Sequence, residues 1–571
     1  MRRLFLCLPI LALIGPLVGC DAFDDATRPN LRAHGAMVAA ADPRAVEAGL
    51  DVLRNGGNAM DAAVAVQAML GLVEPQSSGL GGGAFLLYWD AGAEKLFTYD
   101  GREEAPASAT PDMFLSSTGT PLSLRNFIPS GKVIGIPGAV AMLAMAHARH
   151  GAAPWNSLFG SAVSASRDGF VVSPRLAASI KAFPSLQNVP ATAAYFWPDG
   201  APLAAGAVRV NEAYAQTLEA IAGDPRAFYE GPIADAIIAA AASAPLPATI
   251  THEDLAAYRP VARDPVCGAY RIHLLCSMGP PSSGGVALIQ ILGMLERFPP
   301  EELQPGTLSF VHRLSEATRL AYADRAIWIG DPDVIDVPVA ALTDRAYLAA
   351  RSALISEATA IANATPGDPL GAPLPFGAHV RPSENGTSHF TIVDAYGNIV
   401  AMTTTIEGPF GAQVMAAGFL LNNELTDFSF APENGGLPVA NAPAAGKRPR
   451  SSMSPAIVFD DAGKPVLALG SPGGSQIIGY VAQTLVAMLD GGLPPQEAVS
   501  LPHHNGGDFA ITLEDGTVLA EMKPALEAMG HRAQLGRLTS GLHVIAIEPA
   551  RLTGGADPRR EGAAIALPME H

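Results

Sequence analysis

Cysteine is scarce in this chain of 571 residues, with only Cys7, Cys20, Cys267 and Cys276. No Cys/His spacing of the kind that holds zinc is present, so neither a required metal nor a cofactor is expected. Basic residues are also short: 36 Lys and Arg against 54 Asp and Glu give a net charge of −18. That balance argues against nucleic acid as a partner and suits solubility. Internal repeats and heptads are lacking, as is any later segment apolar enough over its length to span a membrane. That first run, Leu4 to Val18, is shorter than the roughly 20 apolar residues a spanning helix needs. What the chain does have is hydrophobic mass, 49% of its residues, ample for a deep core. Length alone would allow about three or four domains.

The most telling local pattern is Gly386-Thr387-Ser388-His389-Phe390-Thr391-Ile392-Val393-Asp394. An Ala/Pro/Gly-rich run from Ala358 to Gly386 precedes it and reads as exposed and flexible. Phe390 to Val393 alternates like a strand, Tyr396-Gly397-Asn398 turns, and Ile399 to Ile406 reads as the return strand. A cut between Gly386 and Thr387 would place a free amine at the head of a buried hairpin. An α-amine has a pKa of about 7.7–8.0 and can take the proton of the threonine's own hydroxyl near neutral pH. Taken alone, the pattern is equally that of an ordinary strand start. Elsewhere, Pro43–Arg54, Ala59–Leu72 and Leu308–Arg325 carry apolar spacing of helical period. Strand patterning dominates after Thr387.

Arg2 and Arg3 ahead of the apolar run suit an exported signal. The run ends Leu17-Val18-Gly19-Cys20, which resembles the lipobox of bacterial lipoproteins, in which the cysteine is lipidated and becomes the first mature residue. An ordinary signal peptide cut nearby is the alternative. Asp21 resembles an inner-membrane retention signal. A lipid on Cys20 would leave a periplasmic body touching the membrane only through that anchor. Cys267 and Cys276 flank a strand-like or hairpin segment. An exported protein permits a disulfide between them, and their spacing leaves two buried free thiols equally open.

Several short runs recur along the chain: Asn55-Gly56-Gly57-Asn58-Ala59-Met60-Asp61-Ala62-Ala63, Gly79-Leu80-Gly81-Gly82-Gly83, Pro281-Ser282-Ser283-Gly284-Gly285 and Ala321-Tyr322-Ala323-Asp324-Arg325. Leu421-Asn422-Asn423-Glu424, Lys447-Arg448-Pro449-Arg450-Ser451-Ser452-Met453-Ser454-Pro455 and Gly470-Ser471-Pro472-Gly473-Gly474-Ser475 follow. In this order they resemble the gamma-glutamyltransferase family, from about Leu31 to Pro558. The resemblance implies an α+β fold, a four-layer αββα sandwich of the N-terminal-nucleophile hydrolase type. It implies an inactive precursor cut before Thr387, which with the signal read at 1–20 leaves a large subunit, 21–386, and a small subunit, 387–571. The donor would be glutathione or another gamma-glutamyl amide, and the acceptor an amino acid, a peptide or water.

The same resemblance assigns roles. Thr387 would be the nucleophile for both cleavage and catalysis, and Thr405 its hydrogen-bonding neighbour. Gly473 and Gly474 would supply the oxyanion donors, because backbone N–H groups without an intervening Cβ can converge on an anion. Arg102, with Ser451 and Ser452, would bind the donor's α-carboxylate, a guanidinium forking both oxygens. Glu424 and Asp427 would hold its α-ammonium. They are three apart, so an extended strand would splay them, and they converge only where the chain bends. Two features depart from the family pattern. Glu407 stands where many members carry asparagine, and the segment from Asp427 to Lys447 lacks an aromatic-bearing lid. Two other readings compete: an acylase removing a glutaryl-like side chain from a beta-lactam nucleus, and a catalytically silent binding protein.

Overall fold

The computed structural model describes residues 35–124, 127–379, 386–506 and 510–567. The signal-like run, Cys20 and Asp21 lie outside them, as do residues 380–385 of the Ala/Pro/Gly-rich run. Two antiparallel sheets form the centre. The first has seven strands in the order Ala563–Leu567, Ala36–Ala40, Ser388–Val393, Ile399–Thr405, Gly83–Asp90, Lys95–Gly101 and Val261–Arg263. The second has six: Arg551–Ala556, His543–Glu548, Pro465–Gly470, Ala456–Phe459, His273–Ser277 and Val266–Tyr270.

The period-2 pleat of the first sheet decides the layering. Val38, Ala40, Leu86, Tyr88, Phe390, Ile392, Val400 and Met402 face one core with the helices Pro43–Arg54 and Ala59–Val73. Their neighbours Met37, Ala39, Phe85, Leu87, Val393, Ile399 and Ala401 face the second sheet. That second core continues past Ile457, Leu467 and Leu469 into the helices Gly284–Leu295, Leu308–Trp328 and Ile477–Leu489. The result is helix, sheet, sheet, helix. Each predicted helix is present, and the outer pair begins as the sequence dictates. Asp42 caps the first, with proline in its first turn, and Asn58 with Asp61 forms a capping box on the second.

The polarity read from the sequence is only partial. Strands from before and after Thr387 interleave in both sheets. Ala36–Ala40 lies between Ser388–Val393 and Ala563–Leu567, Ile399–Thr405 pairs with Gly83–Asp90, and Ala456–Phe459 pairs with His273–Ser277. Sheet ladders reward long-range pairing whatever the helix content of a segment. Cys267 and Cys276 stand opposite each other in one hairpin, 4.1 Å apart at Cα, and are joined as a disulfide.

Candidate active site

The hairpin sets the first piece of geometry. Asp394 accepts from the backbone N–H groups of Tyr396 and Asn398, closing the turn. The register then runs from Val393 opposite Ile399 to Ser388 opposite Thr404. One step further, Thr405 lies beside Thr387, whose hydroxyl donates to the Thr405 hydroxyl oxygen at 3.1 Å. That oxygen also accepts the Glu407 N–H at 2.8 Å, so Thr405 is fixed from two sides. Thr403 instead binds His389 between the sheets, and Thr404 reaches the Gly83 carbonyl.

Thr387 is held tightly and in strain. Its N–H donates to the Ser77 carbonyl at 3.1 Å, and its carbonyl accepts from Arg560 Nη1 at 2.9 Å. Its φ is +101°, a left-handed value that a β-branched residue rarely adopts. A Cβ on Gly386 would fall 1.5 Å from the Glu407 carbonyl oxygen, so only glycine fits before Thr387.

The second piece is a buried ion cluster. Arg102 follows the strand Lys95–Gly101 and is 1% exposed. Its Nε and Nη2 donate to the carbonyls of Pro449 and Arg450. Nη1 pairs with Glu424, and Nη2 pairs with Asp427 at 2.5 Å. Glu424–Asp427 is a single 3₁₀ turn, in which side chains at i and i+3 eclipse. This turn is the bend that convergence of the two acids requires. Glu103, which the sequence reading gave no role, is fully buried 3.9 Å from Arg102 Nη1. Burial raises its pKa to about 7, with Arg102 pulling the other way. Burial also pushes Glu424 well above its ordinary value, with Arg102 opposing and Glu103 reinforcing the rise. Too many buried carboxyls surround one guanidinium for all to ionise, so Glu103 and Glu424 retain a proton between them.

Glu407 is 6% exposed rather than turned to solvent, and its carboxylate accepts from Asn423 Nδ2. Ser451 Oγ accepts the Met453 N–H, and Ser452 Oγ accepts from Arg325 Nη2 at 2.6 Å. Arg325 also holds Ser283, whose hydroxyl donates to the Ser451 carbonyl. The separate sequence runs thus build one scaffold under the two serines. Gly473 and Gly474 have φ of +136° and +58° and lead through a 3₁₀ turn into the helix Ile477–Leu489. Gly474 faces the cleft; Gly473 lies behind it against Tyr480.

Of the predicted catalytic and donor-binding residues, all but Gly473 line one narrow cleft: Arg102, Thr387, Thr405, Glu407, Glu424, Asp427, Ser451, Ser452 and Gly474, while Gly386 is outside that lining. Glu103, Asn423, Arg325 and Arg560 surround it and were missed. Their contacts cross tens to hundreds of residues, and only their place inside or beside the quoted runs hinted at them. Among the described residues no His, Cys, Asp and Glu group is arranged to hold a metal ion.

A threonine at the head of a central strand, facing a cleft at the end of a four-layer sandwich, is the layout of an N-terminal-nucleophile hydrolase. The sequence model described as Gamma-glutamyltranspeptidase matches residues 45–567, and the chain belongs to that family. It is 40% identical to the Glutathione hydrolase proenzyme of Escherichia coli (strain K12), over 95% of this chain and 93% of that one. It is 35% identical to the Acylase ACY 1 proenzyme of Pseudomonas sp. (strain SE83), over 93% of each. Among solved structures, cephalosporin acylase from Bacillus halodurans superposes with a TM-score of 0.83 at 26% identity, covering 97% of this chain and all of that one. Helicobacter pylori gamma-glutamyltranspeptidase gives 0.54 at 33% identity, over 58% of this chain and 95% of that one.

Proposed function

We propose that this protein is a gamma-glutamyltransferase and glutathione hydrolase that works through a gamma-glutamyl-threonine acyl-enzyme after self-cleavage before Thr387. The observation that carries this reading is the meeting, in one cleft, of a strained threonine with a guanidinium and a set of acids. In the precursor the Thr387 hydroxyl attacks the Gly386 carbonyl carbon. The amide bond breaks, an ester forms on Thr387 Oγ, and the Thr387 nitrogen leaves as an amine. Water then opens the ester, giving a Gly386 carboxylate and restoring the hydroxyl. Strain of about 1–3 kcal/mol in a left-handed residue is released here, because φ ceases to exist once the Gly386 carbonyl departs.

In the mature enzyme the new amine takes the hydroxyl proton and Oγ attacks the donor's γ-carbonyl. The backbone at Gly474 faces the developing oxyanion. The amine returns the proton to the leaving amino group, and water or an incoming amine resolves the ester. A donor's amino-acid end matches the rest of the cleft by exchange. Its carboxylate replaces the acids on Arg102, while its ammonium replaces Arg102 on the acids. The desolvation cost of the pre-formed ion cluster is already met in folding, so binding swaps one set of paired charges for another.

The acylase reading has the support of relatives so named, and it differs at one chemical point: a glutaryl group has a carboxylate but no ammonium. Glu407, Glu424 and Asp427 favour the amine-bearing donor. The two readings separate on gamma-glutamyl and glutaryl anilides assayed in wild type and Glu407→Asn. Wild type should prefer the gamma-glutamyl donor. The variant should lose roughly 1–3 kcal/mol of that preference, the worth of a hydrogen bond to a charged group. A wild-type preference for the glutaryl compound would select the acylase. The processing step is read by denaturing electrophoresis and amino-terminal sequencing, which should give Thr-Ser-His-Phe. Thr387→Ala should stay whole and inactive on glutathione.

We place the protein in the periplasm, lipid-anchored through Cys20. The lipobox-like Leu17-Val18-Gly19-Cys20 supports this, and the Cys267–Cys276 disulfide suits an oxidising compartment.

A further inference from the structure

The nucleophile's carbonyl is gripped from behind by a residue outside every matching run. Arg560 Nη1 donates to the Thr387 carbonyl at 2.9 Å, and Nε donates to the Ser540 carbonyl at 2.6 Å. The side chain is threaded through a fitted slot: a Cβ on Gly541 would lie 2.6 Å from Arg560 Cδ and 2.7 Å from Pro472, the residue before Gly473. Ser540 is itself fixed, its hydroxyl bonded to Asp557, which pairs with Arg559. A group charged near neutral pH is therefore fastened one peptide carbonyl away from the atom that becomes the free amine.

We propose that Arg560 is a positioning residue that keeps the Thr387 amine in its unprotonated, base-competent form near neutral pH. The inference rests on the proposed cleavage, which creates that amine. A like charge disfavours an ammonium. A guanidinium bonded to the residue's own carbonyl also withdraws electrons from the nitrogen two bonds further along. The other side of the cleft acts in the opposite sense. Glu407, Glu424 and Asp427 line it with Arg102 among them, and the Ser77 carbonyl stands where an ammonium would donate. Without a counterweight these groups would hold the proton on the amine and disable the base. Behind Arg560 the nearby charges are mixed: Arg175 is of like sign, Glu74 and Asp557 oppose it, and Tyr480, its pKa raised by burial, stays neutral and adds no charge. Burial and Arg175 lower the Arg560 pKa to about 9, which leaves it charged near neutrality. His389 and His543, buried between the sheets below Thr387, are both held neutral by burial and add no charge.

The test uses the matured full chain. The pH dependence of kcat/KM on a gamma-glutamyl anilide is measured for wild type, Arg560→Gln and Arg560→Lys. Glutamine keeps an N–H donor for the carbonyl and removes the charge; lysine supplies a cation on the acid limb, where its own amine is protonated. The acid-limb midpoint should rise by about one pH unit in Arg560→Gln and return toward wild type in Arg560→Lys. Equal midpoints in all three, with a uniformly lower rate, would make Arg560 merely structural and overturn the proposal. Should Arg560→Gln fail to mature, wild type decides alone. Carbamoylation of the Thr387 amine by cyanate, followed by mass spectrometry across pH, reports its pKa. A value below the ordinary range of about 7.7–8.0 supports the proposal, and one within or above it overturns it. An uncut chain in wild type would instead defeat the proposed function, so the two failures are distinct.

Discussion

Arg102 is the residue on which the charge balance of the cleft turns. It is fully buried, touches two carbonyls, and is the one cation among the acids lining the cleft. A lysine there keeps the charge but loses the planar fork that lets Glu424 and Asp427, or a donor carboxylate, bind side by side. Arg102→Lys should mature normally, since Thr387, Thr405 and Gly386 do not touch it, and should lose about 10- to 100-fold in kcat/KM on glutathione. Unchanged kinetics would remove Arg102 from the donor site.

Glu103 governs how that site responds to pH. A bound α-ammonium stabilises ionised carboxyls, so the proton shared by Glu103 and Glu424 must leave as the donor enters. On the acid side of neutrality, where the Glu103–Glu424 pair holds its proton, removing that proton costs free energy, and the donor KM should climb by up to about tenfold per pH unit. Glu103→Gln fixes the neutral form and should flatten that dependence between pH 5.5 and 8. The linkage to stability has the matching sign. A carboxyl whose folded pKa is raised contributes stability at low pH, and that contribution fades as pH rises from its unfolded value through about 7. Ligand-free wild type should therefore lose more thermal stability than Glu103→Gln between pH 5 and pH 8, as read by the difference in Tm. A KM profile that is the same in both proteins would show that the proton resides elsewhere.

At the scale of elements, the hairpin was legible because its causes are local, whereas the four-layer sandwich came only with the family resemblance. The turn at Tyr396-Gly397-Asn398 and the alternation around it set the register, and the register alone brings Thr405 to Thr387. Helices announced themselves by their apolar period. The approach of Arg102 to Glu424 was another matter. They are 322 residues apart, and no local pattern says that a 3₁₀ turn will meet the end of an edge-side strand. Glu103 stands next to Arg102 and Asn423 inside a quoted run, yet neither neighbourhood says what the side chain meets, and the Arg560–Thr387 contact spans 173 residues, while the resemblance of whole runs carried the rest. The interleaved sheets lead to an expectation of their own. Ala36–Ala40, before the cut, is hydrogen-bonded on both edges to strands after it. Cleavage should therefore release no subunit. The matured protein should elute as one particle on size exclusion and separate into two bands only under denaturing conditions. Elution of an isolated small chain from native protein would contradict this pairing.

At the scale of the whole molecule, the body is a strongly acidic particle of net charge −18 with its apolar mass in two continuous cores. Among its described residues no helix is long and apolar enough to cross a membrane. The proposed anchor lies in the amino-terminal segment, where Cys20 ends an apolar run. Acyl chains contribute about 0.8 kcal/mol per buried CH₂, and one chain alone gives only reversible binding, so a stable anchor needs more than one on the same cysteine. Anionic lipid surfaces would repel the body, so the proposed lipid would have to hold against that repulsion. Detergent phase partitioning should accordingly send wild type to the detergent phase. Cys20→Ser, if still exported, should move to the aqueous phase with its kcat/KM on glutathione unchanged, because the cleft belongs to residues far along the chain. Wild type found in the aqueous phase, with an amino terminus other than Cys20, would replace the anchor with an ordinary signal peptide.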